Sequence, residues 1–114
     1  LVTDSIEASH MPDGIYQLGG QEVIVKGNEA RLSSGALAGS TLLMNDAIRN
    51  FKEVNNLSLT EAIDLATINP ARCLGIDSIK GEIALGKDAD FTVIDQDLQV
   101  YMTVRNGKMI YKKS

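Results

Sequence analysis

Asp4 is the first residue whose type and setting could do chemistry. It directly follows Leu1-Val2-Thr3, whose apolar and β-branched side chains predict the end of a central strand. In α/β folds with parallel strands, the carboxyl ends of the strands face the active site. A carboxylate there can accept a proton from an attacking water and later deliver it to a leaving group. Asp also favours caps and turns, and taken alone that structural role is the commoner one.

Leu37-Ala38-Gly39 precedes a helix that we expect to start near Ser40. Small residues let the backbone approach a ligand closely, and free amides at a helix start favour an anionic or polar group. The alternative is a plain loop in which Ser40 or Thr41 caps the helix. Taken alone, the residues favour the plain loop.

The other reactive residue types predict no site within this chain. His10 is the only histidine, whereas a usual metal site needs several converging ligands. Cys73 is the only cysteine, so no internal disulfide forms, and we expect it to be a small buried residue. Asp13, Asp88 and Asp90 lie in turn-like settings, and we expect structural roles for all three.

The composition limits the kinds of protein that this chain can be. The 114 residues are 44% apolar and 23% charged, with a net charge of −4 and no Trp, which suits one modest globular domain. Spread acidity without a basic patch argues against nucleic acid as a partner. No apolar stretch approaches the roughly 20 residues of a membrane helix, so we expect a soluble, cytoplasmic protein without a membrane partner.

Besides the strand end at residues 1–3, six strands and three helices are predicted to position these residues. A meander over 14–33 turns at Gly19-Gly20 and Gly27-Asn28, and Asn106-Gly107 predicts a type I′ hairpin turn. Helices are expected over about 40–54 and 58–69, the second with a capping box from Ser58 to Glu61. Asn69 would cap a further short helix with Pro70 first and Gly75 as its stop. The predicted strands are 15–18, 22–26, 29–32, 91–94, 100–104 and 108–111.

Several motifs resemble the amidohydrolase superfamily. They are Thr67-Ile68-Asn69-Pro70-Ala71-Arg72-Cys73-Leu74-Gly75, Gly81-Glu82-Ile83-Ala84-Leu85-Gly86-Lys87-Asp88-Ala89-Asp90 and Phe91-Thr92-Val93-Ile94-Asp95. The resemblance implies an α/β chain: the C-terminal part of a metal-dependent (β/α)8 barrel plus strands of a small β-sandwich. Residues 1–75 would end the barrel, and 76–114 would supply the sandwich strands.

The amino-terminal half narrows the resemblance to the N-acetylglucosamine-6-phosphate deacetylase family. The residues that carry it are Leu1-Val2-Thr3-Asp4, Met11-Pro12-Asp13-Gly14-Ile15-Tyr16-Gln17-Leu18-Gly19-Gly20 and Leu37-Ala38-Gly39-Ser40-Thr41-Leu42. It implies hydrolysis of N-acetylglucosamine 6-phosphate to glucosamine 6-phosphate and acetate. It also implies that this chain is the C-terminal portion of a longer enzyme, inactive alone and a homodimer when complete.

The same resemblance assigns roles to residues. Asp4 falls on the family's catalytic aspartate, which would act first as base and then as acid. Leu37, Ala38 and Gly39 fall on the stretch that contacts the amino sugar. A divalent ion (Zn, Fe, Mn or similar), held mainly outside this chain, would polarise the carbonyl and lower the pKa of its water toward ~7.

Two alternatives remain open from the sequence. One is another amidohydrolase, such as a deaminase or cyclic amidase, that shares the C-terminal motifs but takes a different substrate. The other is a non-catalytic β-rich binding module that retains parts of an enzyme. Acetate release from N-acetylglucosamine 6-phosphate separates the first alternative from the deacetylase.

Overall fold

The structure, a computed structural model, describes residues 1–114. Contacts divide the chain into two compact units: an amino-terminal unit, Val2–Ala47, and a carboxyl-terminal unit, Ile48–Ser114, to which Leu1 also belongs. The strands are β1 (Gly14–Leu18), β2 (Gln21–Lys26), β3 (Glu29–Leu32), β4 (Leu37–Gly39), β5 (Phe91–Ile94), β6 (Val100–Arg105) and β7 (Lys108–Lys112), and the helices are α1 (Met44–Asn55), α2 (Leu59–Asp64) and α3 (Ile68–Cys73).

The predicted meander is confirmed as the core of the amino-terminal unit. Strands β1 to β4 form one antiparallel sheet in sequence order. Gly19 and Gly20 have positive φ angles of 57° and 81°, as a primed hairpin turn requires. Alternate residues of β2 and β3 face inward, where they pack with one residue from the segment before β1. The buried cluster that they form is Ala8, Val23, Val25 and Ala30.

The expected helix start near Ser40 is wrong, because α1 begins at Met44. Gly39 instead pairs with Ala30 of β3. The Ser40 hydroxyl accepts a hydrogen bond from the Leu42 amide at 3.0 Å, a local bond of the kind that competes with helix formation. Strand pairing therefore reaches Ser40, the residue where the sequence pattern places the helix start.

The expected strand over Leu1-Val2-Thr3 is not formed either. These residues have no regular secondary structure, and only Ser5 makes an isolated bridge. No strand of this chain pairs with residues 1–3, so their backbone groups have no ladder to join. Asp4 consequently follows an irregular segment.

The capping box of α2 is confirmed, but the helices after it differ from expectation. Ser58 caps α2 and exchanges hydrogen bonds with Glu61, while the helix ends at Asp64 instead of near residue 69. Helix α3 already begins at Ile68, so Asn69 is not its cap. Pro70 is its third residue, where an amide would have no acceptor within the helix. Gly75 ends α3 with a φ of 68°, as predicted.

The three carboxyl-terminal strands are confirmed. They form an antiparallel sheet in the order β5-β6-β7. Asn106 and Gly107 both have positive φ angles, 49° and 72°, which is the type I′ geometry that the sequence predicts. Strand β7 is exposed at every residue. The division of residues 1–75 and 76–114 between a barrel and a sandwich stays a prediction.

Structural roles are confirmed for the three turn aspartates. Asp13 accepts a hydrogen bond from the Gly27 amide at 2.8 Å across the meander. The Lys80 ammonium pairs with both Asp88 and Asp90. Asp90 also accepts a hydrogen bond from the Asn106 amide at 2.6 Å, so this carboxylate ties the segment before β5 to the β6–β7 turn.

Cys73 corrects another expectation, because its side chain is exposed and not buried. Helix α3 buries Ile68 and Ala71, which lie three residues apart on one face. Cys73 lies two residues beyond Ala71, about 200° around the helix, and therefore faces outward.

None of the helices combines the length and the apolar character of a membrane-spanning segment.

Acid is expected to weaken the contact between Asp90 and the β6–β7 turn. The Asn106 amide, followed by the Lys80 ammonium, holds the pKa of Asp90 below its ordinary value of 3.8. A carboxyl group whose pKa is lowered by folding contributes stability above its unfolded pKa and loses it as the pH falls through the folded pKa. Below about pH 4, the melting temperature of the wild type should therefore fall more steeply than that of Asp90→Asn. Parallel curves for the two proteins would contradict this.

Candidate active site

Asp4 and Gly39 each precede a residue of one β-bridge in the amino-terminal unit. Ser5 and Ser40, the residues that follow them, form this parallel bridge. The Ile6 amide donates a hydrogen bond to the Ser40 carbonyl at 2.9 Å. The bridge therefore joins the segment that carries Asp4 to the end of the segment that carries Gly39. The structure thus links the two segments to which the family resemblance assigns roles.

Two serine hydroxyls reinforce this bridge. Ser5 Oγ donates to the Leu42 carbonyl at 2.7 Å, and Ser9 Oγ donates to the Thr41 carbonyl at 3.3 Å. These two hydrogen bonds fix residues 5–9 to residues 40–42. We call the pair of bonds the serine strap. The sequence analysis missed it, because serines that bond to carbonyls more than thirty residues away leave no local pattern.

The Asp4 carboxylate is free to meet a ligand. Its residue is exposed, and no hydrogen bond or ion pair of the described chain involves its oxygens. The backbone at Asp4 is left-handed, with a φ of 51°, a conformation that Asp and Asn adopt more readily than most residues. Geometry therefore leaves the side chain available for proton transfer.

Leu37-Ala38-Gly39 forms strand β4, not the approach to a helix. Ala38 packs against the buried cluster of the sheet, while Leu37 is 67% exposed. Because α1 begins only at Met44, the free amides of the helix start do not lie at this segment. It is a three-residue strand followed directly by Ser40, which bridges to Ser5.

No metal site is formed by the described residues. No group of three or more His, Cys, Asp or Glu side chains converges, and His10 is exposed on the surface. A groove of about 570 Å³ in the carboxyl-terminal unit has Lys80, Glu82 and Asp90 among its lining residues. Lys80 and Asp90 pair with each other, and Glu82 pairs with Lys87 at 2.7 Å. These charges are already neutralised, so they do not suggest a metal centre.

Comparison with known proteins identifies the family. A sequence model described as "Amidohydrolase family" matches residues 2–110. The chain belongs to the amidohydrolase family. This family is generally metal-dependent, but the residues of this amidohydrolase chain do not themselves fit a metal ion.

Its relatives include several named deacetylases. The N-acetylglucosamine-6-phosphate deacetylase of Bacillus subtilis is 41% identical over 97% of this chain, and the N-acetylgalactosamine-6-phosphate deacetylase of Escherichia coli O157:H7 is 41% identical over 96%. The crystal structure of the N-acetylglucosamine-6-phosphate deacetylase from Thermotoga maritima matches 98% of this amidohydrolase chain with a TM-score of 0.85 at 40% identity. The chain spans 28%, 29% and 31% of these three proteins.

Proposed function

We propose that this chain acts as part of a longer deacetylase that hydrolyses N-acetylglucosamine 6-phosphate to glucosamine 6-phosphate and acetate. The family match and the names of the relatives support the reaction. The single structural observation that carries the proposal is the parallel bridge between Ser5 and Ser40, which joins the segment of the exposed Asp4 to the end of β4. We propose that this bridge keeps a proton carrier and a ligand-contacting backbone in one site, as hydrolysis of a bound amide requires.

Asp4 serves this reaction as base and then as acid. Its carboxylate accepts the proton of the attacking water as the new carbon–oxygen bond forms. The resulting carboxylic acid then donates this proton to the amide nitrogen, which leaves as the amine of the product when the carbon–nitrogen bond breaks. Acetate is the other product, so the water supplies both the oxygen and the hydrogen that the reaction adds.

Strand β4 contributes to binding through its backbone. Leu37, Ala38 and Gly39 are proposed to contact the amino sugar, because small residues let a strand approach a polar ligand closely. The divalent ion (Zn, Fe, Mn or similar) is proposed to be held by residues outside this chain, and no step here depends on its position. The homodimeric state of the complete enzyme stays a prediction.

The galactose epimer is the second candidate substrate. The two bacterial relatives named for the glucose and galactose epimers are both 41% identical to this chain. Identity therefore favours neither epimer, and what the two share is an N-acetyl group on a sugar 6-phosphate. A direct comparison of rates must choose between them.

The experiment is to measure acetate release by the complete gene product that contains this chain. The substrates are N-acetylglucosamine 6-phosphate, its galactose epimer and, as a matched control, unphosphorylated N-acetylglucosamine. We expect the highest kcat/KM with N-acetylglucosamine 6-phosphate. A higher value with the epimer would assign the second candidate. Failure to release acetate from either phosphate would contradict the deacetylase and favour another amidohydrolase or a binding module.

A further inference from the structure

We propose that Gly39 is a positioning residue, whose missing side chain admits Ile6 and thereby fixes the backbone that carries Asp4. This inference rests on the proposed function. A Cβ atom added at Gly39 would lie 2.4 Å from Ile6 Cγ2 and 3.8 Å from Ile6 Cβ, and no other residue outside its chain neighbours comes within 4 Å. Because carbon atoms pack at about 3.5–4.0 Å, a side chain at position 39 would force the two segments apart.

Ile6 is partly buried, and both its backbone and one side of its side chain are held in place. Its amide is bonded to the Ser40 carbonyl at 2.9 Å, and its side chain packs against the buried cluster of the sheet. Protein cores transmit displacement because they are close-packed. The displacement would therefore move the backbone of residues 4–6, which the serine strap holds in register with β4.

Two explanations for the glycine make opposite kinetic predictions. If Gly39 is small so that the sugar can approach, alanine weakens binding and raises KM whatever residue occupies position 6. If Gly39 is small so that Ile6 fits, alanine displaces Asp4, lowers kcat and leaves KM nearly unchanged. In the second case, shortening Ile6 restores activity, because Ile6 Cγ2 is the atom that clashes. The backbone of Gly39 is free to contact the sugar in either case.

The test is a double-mutant cycle in the complete enzyme with N-acetylglucosamine 6-phosphate. We expect Gly39→Ala to lower kcat about tenfold or more, since misplacement of a reacting group by about 1 Å can cost 10²-fold, with KM within about twofold. Gly39→Ala/Ile6→Ala should recover at least about fivefold of this loss, as residues in contact are coupled. The backbone angle at position 39 is common to both variants, so it does not contribute to their difference.

The melting temperature separates positioning from simple stability. Recovery of the melting temperature with kcat still low would overturn the inference. A raised KM, or a double variant no faster than Gly39→Ala, would also overturn it.

A wild-type measurement in the same assay distinguishes a failure of the proposed deacetylase function from a failure of the inference about Gly39. An inactive wild type would overturn the proposed function and the inference together, whereas an active wild type with an uncoupled cycle would overturn the inference alone. Where Gly39→Ala does not fold, Ser5→Ala tests the same backbone by removing the 2.7 Å bond to the Leu42 carbonyl. We expect Ser5→Ala to lower kcat about threefold or more at unchanged KM, and an unchanged kcat would overturn the inference.

Discussion

Replacing Asp4 with asparagine in the complete enzyme is expected to lower kcat by about 10²–10⁴-fold, the range that a positioned acid–base group contributes. KM should change little, because the carboxylate acts mainly in the transition state. Asparagine also tolerates the left-handed backbone of Asp4, where φ is 51°. The substitution therefore removes the proposed proton carrier without straining the chain.

Glu7→Gln is the matched control for this substitution. Glu7 is also an exposed acid and lies three residues further along, so its replacement removes the same charge from the same segment. Its kcat should stay within about twofold of the wild type. If Asp4→Asn were as active as Glu7→Gln, Asp4 would not be the proton carrier.

Replacing Gly81 with alanine is expected to produce the largest loss of stability among glycine substitutions in the carboxyl-terminal unit. Its Cβ would lie 2.8 Å from Ala71 Cβ and 2.9 Å from Ile68 Cα. Ala71 and Ile68 are 5% and 7% exposed, so neither has space to move. We expect a cost of about 1–3 kcal/mol for the overpacking, in addition to about 1–2 kcal/mol for alanine at a φ of 97°.

Gly86→Ala separates these two contributions. Gly86 has a similar φ of 86°, but nothing lies within 4 Å of its added Cβ. Urea unfolding of the complete protein should therefore show a lower midpoint for Gly81→Ala than for Gly86→Ala. Equal midpoints would mean that the contact with α3 has no energetic weight.

Most strands and turns could be predicted from the sequence because their signals are local. Gly19-Gly20 and Asn106-Gly107 specify turns by their own backbone preferences, and the alternation on either side specifies the strands. Ser58 and Glu61 likewise identify a helix start within four residues. In each of these cases the stabilising contact lies within the pattern itself.

Helix starts and the exposure of Cys73 depended on contacts that the sequence does not display. The amphipathic pattern extends back to Ser40, but the bridge to Ser5, thirty-five residues away, holds Ser40 in an extended segment. Cys73 was judged by residue type, which favours burial, whereas its position on α3 turns it outward. Distant pairing and helix register outweighed local preference.

The candidate site likewise combines features that the sequence displays with contacts that it does not display. Asp4 and Leu37-Ala38-Gly39 could be selected from residue type and family resemblance, but not the link between their segments. That link depends on the bridge and on the space that Gly39 leaves for Ile6. The chemical groups are therefore visible in the sequence, whereas the link between their segments is visible only in the fold.

A crystal structure of the complete enzyme with a non-hydrolysable analogue of N-acetylglucosamine 6-phosphate tests the central claim most directly. We predict an Asp4 carboxylate oxygen within about 2.6–3.2 Å of the attacking water or of the atom that replaces the amide nitrogen, with the backbone of Leu37-Ala38-Gly39 against the sugar. An analogue bound with Asp4 beyond the reach of one bridging water would contradict the account.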